Sequence, residues 1–80
     1  MPTILTEKGY RFFFFSREGK EPPHIHVEKG DGYAKFWLNP VALARSRALR
    51  GYEIAEAQRI IEKRQKMFEE KWDEHFARKS

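Results

Sequence analysis

Hydrophobic and polar residues alternate along the first half of the chain and recur at a helical spacing in the second. Thr3-Ile4-Leu5-Thr6-Glu7 and Tyr10 to Ser16 read as strands joined at Lys8-Gly9. A two-residue turn there sets Glu7 opposite Tyr10, Leu5 opposite Phe12 and Ile4 opposite Phe13. Successive strand residues point to opposite faces, so Phe12 and Phe14 face one way and Phe13 and Phe15 the other. A single sheet with one helix covers only one of these faces. The other needs a loop, a partner or a second protomer, which makes Phe12–Phe15 the segment expected to support self-association. Arg17 to Pro23 is a connection, because Pro22 and Pro23 have no N–H to give a ladder and favour extended backbone.

The next hairpin is the most informative segment. With Asp31-Gly32 as a type I′ turn, Glu28 faces Lys35, Val27 faces Phe36, His26 faces Trp37, Ile25 faces Leu38 and His24 faces Asn39. Ile25, Val27, Phe36 and Leu38 then form an apolar face. His24, His26, Glu28, Lys35, Trp37 and Asn39 form the opposite one. A slip of one residue sets Val27 against Lys35 and loses both patterns. Beyond Asn39-Pro40, Val41–Ser46 reads as a fifth, short strand with Val41 and Leu43 inward, a helical turn being the alternative. From about Tyr52 to Phe76 the stripe Ile54, Ala57, Ile61, Phe68, Trp72 and His75 predicts one long helix after a break at Gly51. The far side of that helix is charged, and Glu62–Lys66 and Lys66–Glu70 are spaced as i,i+4 partners. The fold class expected is α+β: an antiparallel β-meander of four to five strands over about residues 3–46, then one long C-terminal α-helix over about 52–76 packed on one sheet face. A single domain then spans residues 1–80.

Composition narrows the setting. The chain has 80 residues, no cysteine and 15% aromatic residues, so stability is expected to come from ring packing or from a partner and not from disulfides. No apolar run approaches the roughly 18 residues of a membrane span and no signal peptide opens the chain, so a cytoplasmic protein without membrane contact is expected. The net charge of +4 is uneven: residues 1–51 carry nine Lys and Arg against five acids, whereas residues 52–76 carry five against seven. Arg45, Arg47 and Arg50 follow the hairpin with no acid between Pro40 and Gly51. This basic excess suits phosphate, RNA or an acidic protein surface.

Two chemistries fit the polar face. His24 and His26 share a side of one strand, and Glu28 can add an oxygen, which is compatible with a metal. No third histidine lies near, so neither a metal nor a cofactor is expected. The stronger catalytic reading is metal-independent ribonuclease chemistry. His24 and His26 serve as acid and base, Glu28 and Lys35 assist, and Arg11, Arg17 or Arg45 meets the phosphate. The competing reading is a contact surface. There Trp37 stacks a base or anchors a partner, Asn39, Arg11, Arg17, Arg45, Arg47 and Arg50 bind nucleic acid or protein, and Glu28–Lys35 is a surface ion pair.

Gly9-Tyr10-Arg11-Phe12-Phe13-Phe14-Phe15-Ser16, Glu21-Pro22-Pro23-His24-Ile25-His26-Val27 and Ala34-Lys35-Phe36-Trp37-Leu38, with Ala42-Leu43-Ala44-Arg45-Ser46, Trp72 and Phe76, resemble the bacterial domain-of-unknown-function family 4160. The resemblance covers nearly the whole chain, and PPHIHV is its most specific segment. It departs at Ala48-Leu49-Arg50-Gly51-Tyr52, where relatives show a glycine-plus-apolar turn earlier. The resemblance implies one component of a type II toxin–antitoxin-like module, the toxin half acting on RNA or translation, partnered by a small protein from the neighbouring gene. The alternative is a non-catalytic, protein- or nucleic-acid-binding regulatory module of the same locus. The resemblance brings no catalytic residue with it.

Overall fold

The computed structural model describes residues 3–15 and 20–76. Arg17 lies outside them. In chain order the elements are β1 (Thr3–Glu7), β2 (Tyr10–Phe13), β3 (His24–Lys29), β4 (Gly32–Leu38), β5 (Val41–Arg47), α1 (Gly51–Lys63) and α2 (Gln65–Phe76). The strands form one five-stranded antiparallel sheet in the order β1-β2-β3-β4-β5, so the α+β meander expected from the alternation is present. Tyr10, Phe12, Phe14, Ile25, Val27, Phe36 and Leu38 turn one sheet face toward Ala57, Ile60, Ile61, Phe68 and Trp72 of the helices. No helix of the described residues is long and apolar enough to cross a membrane.

The first hairpin turns at Lys8-Gly9, both with positive φ (55° and 85°), as a type I′ turn requires. Glu7 pairs with Tyr10 and Leu5 with Phe12, but Phe13 pairs with Thr3. Ile4 is the extra residue of a bulge, which replaces the expected Ile4–Phe13 pair.

The second hairpin turns at Gly30-Asp31, not Asp31-Gly32. Gly30 has φ +58° and Asp31 is not left-handed, the glycine-first pattern of a type II′ turn. Gly32 is instead a buried strand residue. A Cβ there would collide with the Leu49 side chain and come within 2.7 Å of the Ala48 carbonyl oxygen. Pairing therefore moves by two residues: His24 faces Trp37, Ile25 faces Phe36, His26 faces Lys35, Val27 faces Ala34 and Glu28 faces Tyr33. A shift of two keeps every side chain on its face while dissolving the expected Glu28–Lys35 and His26–Trp37 pairs. Asn39 falls out of the strand into an exposed turn with a cis Asn39–Pro40 peptide. β5 is present, but Leu43 remains 40% exposed at the sheet edge.

The single long helix is also corrected: there are two. α1 begins at Gly51, with the Glu53 carboxylate accepting the Arg50 N–H at 2.8 Å. It ends at Arg64, whose backbone (φ −115°, ψ 22°) leaves the helical region and whose N–H is shared between the Ile60 and Ile61 carbonyls, each at 3.1 Å. Both residues at the break are tied to the sheet. Arg64 Nε donates to Glu7 Oε1 at 2.8 Å, and Gln65 Nε2 donates to the Leu38 carbonyl. Glu62 accepts from Gln58 at 3.2 Å.

Candidate functional site

The sheet face turned away from the apolar core is built from cross-strand rows. Arg11, Glu28, Tyr33 and Arg47 are successive partners across β2 to β5, and Phe13, His26, Lys35 and Arg45 form the adjoining row. His24 and Trp37 begin a third. Directly opposed side chains in such rows lie about 4.5–5.5 Å apart at Cβ, close enough to act on one ligand.

A bulge decides which β5 side chains join these rows. Leu43 pairs with Phe36 and Arg45 with Lys35, leaving Ala44 as the extra residue. Without it, Arg45 and Arg47 would share a face with Leu43, since all three are odd-numbered. The inserted residue reverses the alternation and turns both arginines to the polar side.

Both histidines lie beneath this surface with 0% exposure. The His24 Nδ1–H donates to the Pro22 carbonyl at 2.9 Å, an oxygen that only accepts. Its ring stands perpendicular to those of His26 (5.0 Å) and Trp37 (5.7 Å) and lies 4.8 Å from that of Trp72. His26 Nδ1 is hydrogen-bonded to the Tyr33 hydroxyl at 2.9 Å. The His26 ring stacks on Phe13 at 5.6 Å and contacts Phe15 at 4.3 Å. Among the described residues no buried side-chain nitrogen or oxygen lacks a partner. Each histidine thus has an aromatic cage and a polar anchor, as a buried polar group requires.

The charged members of the face are paired differently from the sequence expectation. Glu28 Oε1 accepts from Arg11 Nη1 at 2.8 Å, and the Arg11 guanidinium lies 4.3 Å above the Phe13 ring. The Lys35 ammonium donates to Glu21 Oε1 at 2.7 Å and sits 4.7 Å above Trp37. The Arg45 and Arg47 guanidinium carbons lie 5.8 and 5.5 Å from the Tyr33 ring centre. Arg50 sits at the N-terminus of α1, apart from Arg45 and Arg47.

Phe13, Phe15, Glu28, Tyr33, Arg45, Ser46 and Arg47 enclose an open pocket of about 470 Å³ above His26. Its aromatic walls, flanking guanidiniums and the Glu28 carboxylate can hold a planar, anionic ligand. Of the sequence candidates, Glu28, Arg45 and Arg47 line it, Arg11 orients Glu28, and His26 supports it from below. His24, Lys35 and Trp37 lie at its side, and Asn39 and Arg50 are elsewhere. Tyr33, Phe13 and Phe15 were missed as site residues. Tyr33 is readable by parity, two residues before Lys35 on the same face of β4. Among the described residues no three His, Asp or Glu side chains gather as a metal-binding group.

Fold and site together define a small α+β protein whose antiparallel sheet carries two helices on one face and an arginine-flanked aromatic pocket on the other. The chain belongs to the family Domain of unknown function (DUF4160), whose model matches residues 9–73. No curated protein and no solved structure matches it.

Proposed function

We propose that this protein is a non-catalytic binding module for single-stranded RNA, seating the strand on the pocket between β3 and β5. The observation that carries this reading is Tyr33, an aromatic wall flanked by two guanidiniums beside Phe13 and Phe15. Unpaired bases stack on such rings while arginines hold the neighbouring phosphates. Burial of His24 and His26 at 0% exposure supports a structural role for both over acid–base chemistry, which needs a ring nitrogen within reach of substrate. The two-gene toxin–antitoxin setting implied by the sequence resemblance is compatible with such a module in either half, and it makes a small neighbouring-gene product the expected protein partner.

Fluorescence anisotropy with a labelled, mixed-sequence single-stranded RNA tests the reading. Wild type is expected to bind with an affinity that falls steeply with salt. Arg45→Gln/Arg47→Gln should weaken binding at least about tenfold and lower the slope of log K against log salt by about 1.4, the share of two single-strand phosphate contacts. Equal binding by wild type and double variant would remove the pocket from the function. RNA cleavage that is lost in His26→Gln would return it to catalysis.

A further inference from the structure

We infer that the pocket selects guanine, with Glu28 as the residue that reads the base. This deepens the RNA-binding reading and rests on it. Among the described residues lining the pocket every other polar side chain is a guanidinium or a hydroxyl, so Glu28 is the one acceptor-only group of that set. Nor is the carboxylate there only to neutralise charge. Arg11 Nη1 holds Oε1 at 2.8 Å, and Arg11 is itself fixed by Nε donating to Thr3 Oγ1 at 2.8 Å and by its seat over Phe13. Oε2 takes no hydrogen bond among the described residues, and the Glu28 side chain is 49% exposed. A carboxylate pinned through one oxygen, with the other presented beside aromatic walls, is preorganised for a ligand that donates.

Base chemistry then discriminates. On its Watson–Crick edge guanine places two donors side by side, N1–H and the N2 amino group, which match Oε2 and the second acceptor site of Oε1, the first being held by Arg11. Adenine and cytosine offer an amino group beside a bare ring nitrogen. Uracil offers one N–H between two carbonyl oxygens, both of which meet the carboxylate charge. Guanine O6 needs a donor, and Arg45, Arg47 and the Ser46 hydroxyl line the same pocket. A site built to satisfy a ligand's hydrogen-bonding groups rejects an analogue lacking them more strongly than apolar contact does.

The test varies the ligand and the protein separately. Short single-stranded RNAs of otherwise uniform sequence carry guanine, inosine, adenine, cytosine or uracil at one central position. Wild type is expected to favour guanine over uracil at least about tenfold, with inosine, which lacks only the N2 amino group, falling between them. Glu28→Gln keeps the size of the side chain but faces the base with an amide. It should reduce the preference to within about twofold while retaining binding that depends on Arg45 and Arg47. A melting curve checks that Glu28→Gln is folded, and inosine tests the contact with no change to the protein. Base-independent binding by wild type, or a guanine preference unchanged in Glu28→Gln, overturns this inference and leaves RNA binding standing. No binding to any of the RNAs overturns both.

Discussion

Tyr10 shows how one side chain serves two environments. Its ring is buried among Phe12 and the helical residues, while its hydroxyl donates to Glu56 Oε1 at 3.0 Å. Burial, then the hydrogen bond and negative charge of Glu56, push its pKa from 10.0 up to about 12. The folded chain therefore holds this proton more firmly than the unfolded chain. Its contribution to stability is complete below pH 10 and is lost as pH rises toward 12. Thermal melts should show wild type losing stability across that window by more than Tyr10→Phe, which has no phenol to ionise. Near neutral pH the same substitution should cost about 1–2 kcal/mol, since a charge-assisted hydrogen bond is lost while Glu56 keeps Lys8 at 3.9 Å. An identical alkaline decline in the two proteins would show that the Tyr10 proton is not linked to folding.

At the scale of elements, what the sequence made legible depended on what alternation and periodicity are sensitive to. Face assignment was robust. The β3–β4 register differs from the expected one by two residues, yet His24, His26, Glu28 and Lys35 stayed on one side and Ile25, Val27, Phe36 and Leu38 on the other. The pairs themselves were not legible, because Gly30-Asp31 and Asp31-Gly32 both carry turn chemistry and only the approach of Ala48 and Leu49 to Gly32 separates them. The helix break was invisible for a similar reason. Ile61 and Phe68 are seven residues apart and stay on one stripe across Arg64, so periodicity passes over a break held by tertiary bonds to Glu7 and Leu38. The β5 bulge leaves no trace in a single sequence, although it decides where Arg45 and Arg47 point. Deleting Ala44 should therefore restore simple alternation, keep the fold, and turn both arginines away from the pocket. Circular dichroism should stay near wild type while RNA affinity falls about as far as in Arg45→Gln/Arg47→Gln. Undiminished affinity would mean that the bulge does not aim these side chains.

Across the whole molecule the two faces of the sheet are not independent, and Trp72 is where they meet. From α2 its ring stands edge-on to Phe14 at 5.3 Å and packs on Phe76 at 4.1 Å, both on the helix side of the sheet. The same ring lies 4.8 Å from His24, which continues through His26 to Phe15 and Tyr33 at the pocket. Truncating a buried tryptophan costs about 3–5 kcal/mol. A chain of this length has roughly 4–12 kcal/mol to lose. Trp72→Ala should thus lose about a quarter of the chain's stability or more, seen as a urea midpoint far below that of wild type. Trp72→Phe keeps a ring at the junction and should stay folded with a lower urea midpoint. Because His24 would then rest on a smaller ring, the tier beneath the pocket should loosen as well, and RNA affinity should fall even though residue 72 does not line the pocket. Leu43→Ser supplies the contrast: that side chain is 40% exposed and belongs to neither tier, so its urea midpoint and RNA affinity should both stay near wild type. Stability lost in Trp72→Phe with RNA affinity unchanged would mean that the aromatic path from helix to pocket is only packing.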